Sequence, residues 1–417
     1  MKQKIQLLFK GADSRHTILN VLFSLFLLAQ LFRLVRQLLY TYGIDSWHIS
    51  EFLINYQGGF VRRGLFGELL LLFTQYTNIN VELTIKALSL IFFFAVCSFF
   101  IRAFIRKGYS LYILPLCFFL GMGILSGNLV RKDYLMIYFL ILILKVYQGS
   151  FSKAVKILGI NVLFILALLN HEAFAFFSLP VVLLLVAGDY KEKGFVKASL
   201  LSGLTILPAI LCFFLTLYYH GDAVTAQAIW DSLQVIANNS VPKVLTGDHW
   251  HSIAAIGWKS ETTFQSHFKM NFLAFDRDLL SFFVWCITFP VVYYLATNAL
   301  LVFRKSESIF TERHKTVLST ILIFQLVCLI PLFTILSCDY VRIFFYWIVS
   351  SFAIFLIVPF EKVEGLTPSF AGKKIQSLNT LFAIILIPRR STVVMLMLFI
   401  GISSYTFFVD QTIDNSM

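Results

Sequence analysis

The segment Ile54–Leu70, INYQGGFVRRGLFGELL, sets two adjacent arginines between a Gly-Gly pair and a Gly-Leu-Phe-Gly-Glu run, soon after the first apolar stretch of the chain. Its reading decides the layout of everything around it, because the meaning of those charges depends on which side of a membrane they face. Composition establishes the membrane. The chain of 417 residues is 59% hydrophobic and 13% charged, with a mean hydropathy of +0.82, far outside the soluble range. Phe alone occurs 46 times, and apolar runs near bilayer length recur from end to end, so the helices are the body of the protein and not an anchor.

The net charge of +12 does not gather on a polar domain. Basic residues fall in short loops between apolar runs, which is a topological pattern, and no nucleic-acid partner is expected. Cys97, Cys117, Cys212, Cys286, Cys328 and Cys338 lie within or beside apolar segments with no CxxC spacing, so they read as packing residues. Lys2, Lys4, Lys10 and Arg15 precede a long apolar run that ends in Arg33 and Arg36 without a small-residue cleavage site, the pattern of an uncleaved signal anchor.

Apolar windows predict an all-α polytopic membrane protein of about eleven spans. Their limits are 17–40, 82–104, 109–127, 134–149, 154–170, 173–188, 198–219, 279–303, 316–337, 343–360 and 391–409, in a single membrane domain covering 1–417. The run Leu378–Ile387 is too short to span and reads as interfacial. Basic loops at Arg106 and Lys107, Lys153 and Lys156, Lys191 to Lys197, Arg304 to Lys315, and Lys362 to Arg390 mark the cytoplasmic side and place the N-terminus there. The alternate loops, 41–81, 128–133, 170–172, 220–278 and 338–342, then face outward, away from the cytoplasm. Arg62, Arg63, Arg131, Lys132 and Arg342 stand against the positive-inside bias and need another reason to exist.

That reason is sought in the outer loops. Loop 41–81 carries Asp45, Glu51, Arg62, Arg63 and Glu68, with helix-like apolar spacing in Ile44–Tyr56 and Leu65–Phe73 on either side of the Gly58–Gly59 turn. The next holds Arg131, Lys132 and Asp133, the third His171 and Glu172, and the last Asp339 and Arg342, one helical turn apart. Any one of these could be a snorkelling residue or helix cap. As a set, acids and bases in four outer loops are costly to bury unpaired and should converge on one another or on a charged ligand. Arginine forks suit phosphate or pyrophosphate, and a carboxylate beside them can take a proton from a hydroxyl acceptor.

In these features the chain resembles the GT-C superfamily of polyprenyl-phosphate-dependent glycosyltransferases. The likeness is architectural: a cytoplasmic N-terminus, a long first outer loop with interfacial helices, one acid soon after the first span and another in the second outer loop. It extends over about Met1 to Phe303 and includes no diagnostic motif. The resemblance implies transfer of a sugar from a polyprenyl-phosphate or pyrophosphate donor to a glycan or glycolipid acceptor outside the cytoplasm. It implies Asp45 as base with Glu51 as its rival, Asp133 as second acid, and Arg62, Arg63, Arg131 and Arg342 on the donor phosphate. Lys132, His171, Glu172 and Asp339 join them as candidate substrate contacts. The opening segment also resembles stretches in proteins of bacterial surface-polysaccharide clusters. Two other readings stay open, a polysaccharide polymerase resembling the O-antigen polymerases and a non-catalytic flippase of lipid-linked glycans.

No cofactor is expected. His249, His251 and His267 in loop 220–278 lack the cysteine or carboxylate partners of a metal site, so no metal is expected either. Trp230, Trp250 and Trp258 of that loop could stack on sugars or anchor it at the interface.

Overall fold

The computed structural model describes residues 17–40, 46–77, 79–109, 111–116, 118–121, 129–233, 252–258, 261, 278–302, 311–337, 339–386, 389 and 391–398. Among these the regular elements are all helical. In chain order they are α1 (Thr17–Tyr40), α2 (Trp47–Leu53), α3 (Gly64–Tyr76), α4 (Val81–Arg106), α5 (Asp133–Gln148), α6 (Lys153–Asn170), α7 (Phe174–Asp189), α8 (Phe195–Thr205), α9 (Leu207–Tyr218), α10 (Ala223–Leu233), α11 (Asp278–Val302), α12 (Glu312–Pro331), α13 (Tyr340–Ile357), α14 (Phe360–Leu366) and α15 (Ser369–Ile385).

Among the described residues four helices are long and apolar enough to cross a membrane: α4, α6, α13, and α12 together with the π turn Leu332–Leu336 that continues it. They coincide with the expected spans at 82–104, 154–170, 316–337 and 343–360. A fifth crossing arises if α8 and α9 act as one, although the pair bends by 67°. The bend has a local cause, because Pro208 opens α9 and supplies no amide to continue the ladder of α8. The protein is therefore an all-helical protein with the helices of a membrane protein.

Two expectations meet a different structure. The described part of 109–127 is a chain of turns, with Leu114, Leu116 and Phe119 each bonding three residues back, and not a helix. Pro115 withholds an amide there, and flanking glycines weaken helical preference. Leu378–Ile385 is the end of the longer helix α15, whose earlier turns carry Lys373, Lys374 and Gln376 and so escape an apolar window.

The fold divides into two compact units. The first draws on Met1–Val35, Ala95–Gly127 and Phe268–Thr412. Its axis is α13, buried along nearly its whole length and locked to α12 by the Trp347 indole donating to the Leu322 carbonyl at 2.7 Å. The irregular 111–121 stretch packs against it through Phe118 on Phe344 (4.7 Å) and Phe119 on Phe352 (5.2 Å). Non-helical backbone is tolerated among membrane helices where protein covers it, as here. Inside the same unit, Asn379 accepts from Tyr293 at 2.9 Å and exchanges hydrogen bonds with Ser319, tying α15 to α11 and α12.

The second unit draws on Arg36–Phe94 and Asn128–His267. Here α6 packs against α3, α5 and α9, and α7 against α8. The segment quoted above lies at one end of this unit. Ser46 caps α2, its hydroxyl accepting from the Ile49 amide, and the chain turns at Gly59 with φ +103, a conformation that costs a residue with a side chain. The next helix crosses α2 closely because Gly67 has no side chain: a Cβ there would lie 2.0 Å from the Ile54 carbonyl oxygen. Beneath both helices, α10 and the 3-10 turn Ala254–Gly257 fold back to complete a core of Ile49, Phe52, Val61, Ile229, Trp230 and Ile256. Ser252 seals the join, bonding to Ser50 Oγ and the Trp47 carbonyl. Trp230, offered from sequence as a sugar platform or interface anchor, is instead a core residue at 2% exposure. Trp250 and the three histidines of this loop lie outside the described residues.

Candidate functional site

Six of the residues singled out from the outer loops meet within the second unit. The α2 helix brings Glu51, the turn before α3 brings Arg62 and Arg63, the turn before α5 brings Lys132, and the α6–α7 junction brings His171 and Glu172. Glu172 is the hub. Arg63 grips it with a fork, Nε lying 2.9 Å from Oε2 and Nη2 2.5 Å from Oε1, and Arg62 Nη1 reaches Oε1 at 3.5 Å. Both guanidinium side chains keep about a quarter of their surface exposed, at 25% and 23%, whereas Glu172 keeps 10%. The two guanidinium groups thus hold an internal carboxylate while each keeps part of its surface exposed.

Backbone strain accompanies this grip. Arg63 has φ +67, and among the described residues it alone combines a side chain with a positive φ. Such a conformation costs an ordinary residue roughly 1–2 kcal/mol, and strain of this kind concentrates at functional positions. Three bonds hold it: the fork on Glu172, the Arg63 carbonyl accepting from Lys132 Nζ at 3.0 Å, and the Arg62 amide donating to the Tyr219 carbonyl at 2.9 Å. Glu68 of α3 secures the other side of the turn by accepting from the Tyr56 amide and the Gln57 side chain.

His171 sits behind the fork, fully enclosed. The Ala173 amide donates to its Nδ1 at 3.2 Å, so Nδ1 is the acceptor and the proton resides on Nε2, which faces Glu51 Oε1 at 3.3 Å. Burial and then the Arg63 charge push the imidazole pKa down, which keeps the ring neutral at neutral pH. Glu172 moves the other way from what burial would dictate: Arg63, Arg62 and His171 together hold its carboxyl well below the usual carboxylate range. Lys132 is enclosed between the Arg63 and Asn170 carbonyls, with its ammonium 5.7 Å from the Phe52 ring. Burial pushes it down to about 7, and Arg63 adds to the push while Glu51 and Glu172 resist it.

Lys132 yields a pH prediction. An unfolded lysine holds its proton to about 10.5, so between about 7 and 10.5 the unfolded chain binds more protons than the folded one and stability rises with pH. The melting temperature of the detergent-solubilised protein should climb from about pH 7 to 9. Lys132→Met should flatten that climb; equal slopes in the two proteins would assign it elsewhere.

Arg131 and Asp133 flank Lys132 and are buried, Asp133 completely as the first residue of α5. Asp45 lies outside the described residues. Asp339 and Arg342 belong to the first unit, where they pair across one helical turn at 3.8 Å and Arg342 also reaches the Tyr346 hydroxyl at 3.5 Å. Among the described residues no three His, Cys, Asp or Glu side chains are grouped to hold a metal. Sequence reading named every charged member of the cluster but missed its wiring, above all that Glu172 is the partner of both arginines. The one available signal was that an NHE sequence wedged between apolar spans must find a counter-charge. No protein-family model, no curated protein and no solved structure matches this chain.

Proposed function

We propose that the protein is a GT-C-like glycosyltransferase of about eleven spans in a bacterial inner membrane, moving a sugar from a polyprenyl-phosphate-linked donor to a glycan or glycolipid acceptor on the extracytoplasmic face. The observation that carries the reading is the pair of partly exposed arginine forks, held by a strained turn and filled by a carboxylate. A donor phosphate has the geometry to replace Glu172 there, with more charge and more acceptor oxygens. In the transfer, the acceptor oxygen bonds to the sugar's anomeric carbon, the bond from that carbon to the phosphate oxygen breaks, and the arginines neutralise the departing phosphate.

The acceptor proton needs a reachable base. Glu51 and Asp133 are 1% and 0% exposed, so neither carboxyl meets an incoming hydroxyl. Asp45, the base that the GT-C resemblance implies, keeps that role in this reading, and Glu51 takes a positioning role through His171. A polymerase resembling the O-antigen polymerases is the second reading, favoured by the same arginines and by the burial of those two acids; a flippase is the third.

The test is surface-glycan and lipid-linked-intermediate analysis in cells carrying Asp45→Asn, Asp133→Asn or the Arg62→Ala/Arg63→Ala pair at matched expression. Asp45→Asn should stop glycan extension with donor accumulating, and the arginine pair should do the same. Wild-type glycan in Asp45→Asn with failure of the arginine pair would move the assignment to the polymerase or flippase. Wild-type glycan in all the variants would remove the site.

A further inference from the structure

Beside the arginines stands a group of aromatic rings that none of the charge interactions uses. Phe60, two residues before Arg62, stacks on Tyr56 (centroids 5.5 Å apart, planes 22° apart) and meets the edge of Tyr219 at 5.3 Å and 87°. Tyr219 is in turn crossed by Tyr218 at 5.0 Å. The Tyr56 ring is fixed from behind, since a Cβ at Gly64 would lie 2.3 Å from it. Phe60 and Tyr219 nonetheless each leave 43% of their surface exposed. A backbone bond ties the two features together, because the Tyr219 carbonyl that accepts from the Arg62 amide belongs to the shelf.

Two alternatives account for this less well. Interfacial anchoring favours Tyr and Trp, whose polar tips reach water, and explains Tyr218 and Tyr219 but not an exposed Phe in a glycine turn. Packing explains Tyr56, which is partly buried with its hydroxyl enclosed, but not the open surface of Phe60. An aromatic face carries partial negative charge and attracts the C–H bonds of a pyranose's apolar face. With two cations next to it, the shelf suits a ligand that joins a ring of that kind to an anion.

We propose that Phe60 and Tyr219 form the subsite for the sugar of a lipid-linked sugar phosphate whose phosphate occupies Arg62 and Arg63. The inference rests on the phosphate reading of the arginines. It names what distinguishes a loaded donor from the spent lipid phosphate: the shelf adds affinity only when the sugar is present, so the product leaves once the sugar is transferred.

Two probes separate the parts, a short-chain polyprenyl monophosphate and the same lipid phosphate bearing a hexose, titrated by calorimetry into the full chain in detergent. Phe60→Ala and Tyr219→Ala should each weaken the hexosylated probe roughly tenfold and leave the bare phosphate within about twofold. Phe60→Trp should retain binding of both. Equal weakening of both probes would assign the rings to the prenyl chain or the fold, and no weakening of either would empty the shelf of a role; each overturns the proposal while the arginine reading stands. Undiminished binding of bare phosphate to the Arg62→Ala/Arg63→Ala protein overturns the arginine reading and the subsite with it.

Discussion

Replacing Glu172 by Ala should cost about 3–5 kcal/mol, the range for removing one partner of a buried ion pair. The variant leaves Arg62 and Arg63 facing each other across a vacated fork, with three hydrogen bonds to Arg63 lost at once and the strained φ of that residue no longer compensated. The lower part of the range applies because both guanidinium groups retain some contact with water. Reversible denaturation in detergent measures it. A triple variant that also removes both arginine side chains should lose less than the sum of its parts, since the orphaned charges go with the carboxylate. Millimolar inorganic phosphate should return part of the stability to Glu172→Ala and little to the wild type, whose forks are filled. A loss under about 1 kcal/mol, with no phosphate effect, would mean that the cluster is a solvated surface group.

Gly67→Val should be nearly as damaging without touching a charge. The added atoms would meet the Ile54 carbonyl oxygen at 2.0 Å and the backbone carbons of Ile54 and Leu53 at 2.6 and 2.8 Å, and backbone cannot rotate aside as a side chain can. The α2 and α3 helices must then part, at about 3 kcal/mol or more, near the top of the range for overpacking. Glu51 rides on α2 and moves with it, so its 3.3 Å approach to His171 is lost, and the glycan transfer proposed for this protein should fail even in protein that still reaches the membrane. Gly203→Ala is the control: nothing lies within 4 Å of a Cβ there, and alanine in the last turn of α8 should stabilise by up to about 0.5 kcal/mol. If the two glycine variants behave alike, close approach of the backbones is not what holds the turn.

What sequence revealed and what it hid divide along physical lines. Apolar length and basic loops are local, cumulative signals, which is why α4, α6, α12 and α13 were legible to within a few residues. Charges in the wrong loops were legible for a related reason: Arg62, Arg63 and Glu172 each carry a burial cost that a single residue advertises. Three features depend on contacts between residues far apart in the chain and were invisible. Ser50 bonds to Ser252, Trp230 fills space beneath Phe52, and Arg63 takes a left-handed turn because Lys132 holds its carbonyl. The glycines were half legible. Gly59 uses the conformational freedom its residue type offers, but Gly64 and Gly67 are needed for approach of a ring and of a backbone. The stretch at 109–121 misled because hydropathy measures how much apolar surface a segment has and not which backbone presents it.

That last stretch has a consequence for biogenesis. A segment this apolar enters the insertion machinery as a helix would, yet its turns leave amide and carbonyl groups that lipid cannot satisfy. The helix that covers it, α13, is translated long afterwards. The turned backbone of this stretch therefore depends on α13, and the first unit reaches its native packing only when ribosomal synthesis has passed Ile357.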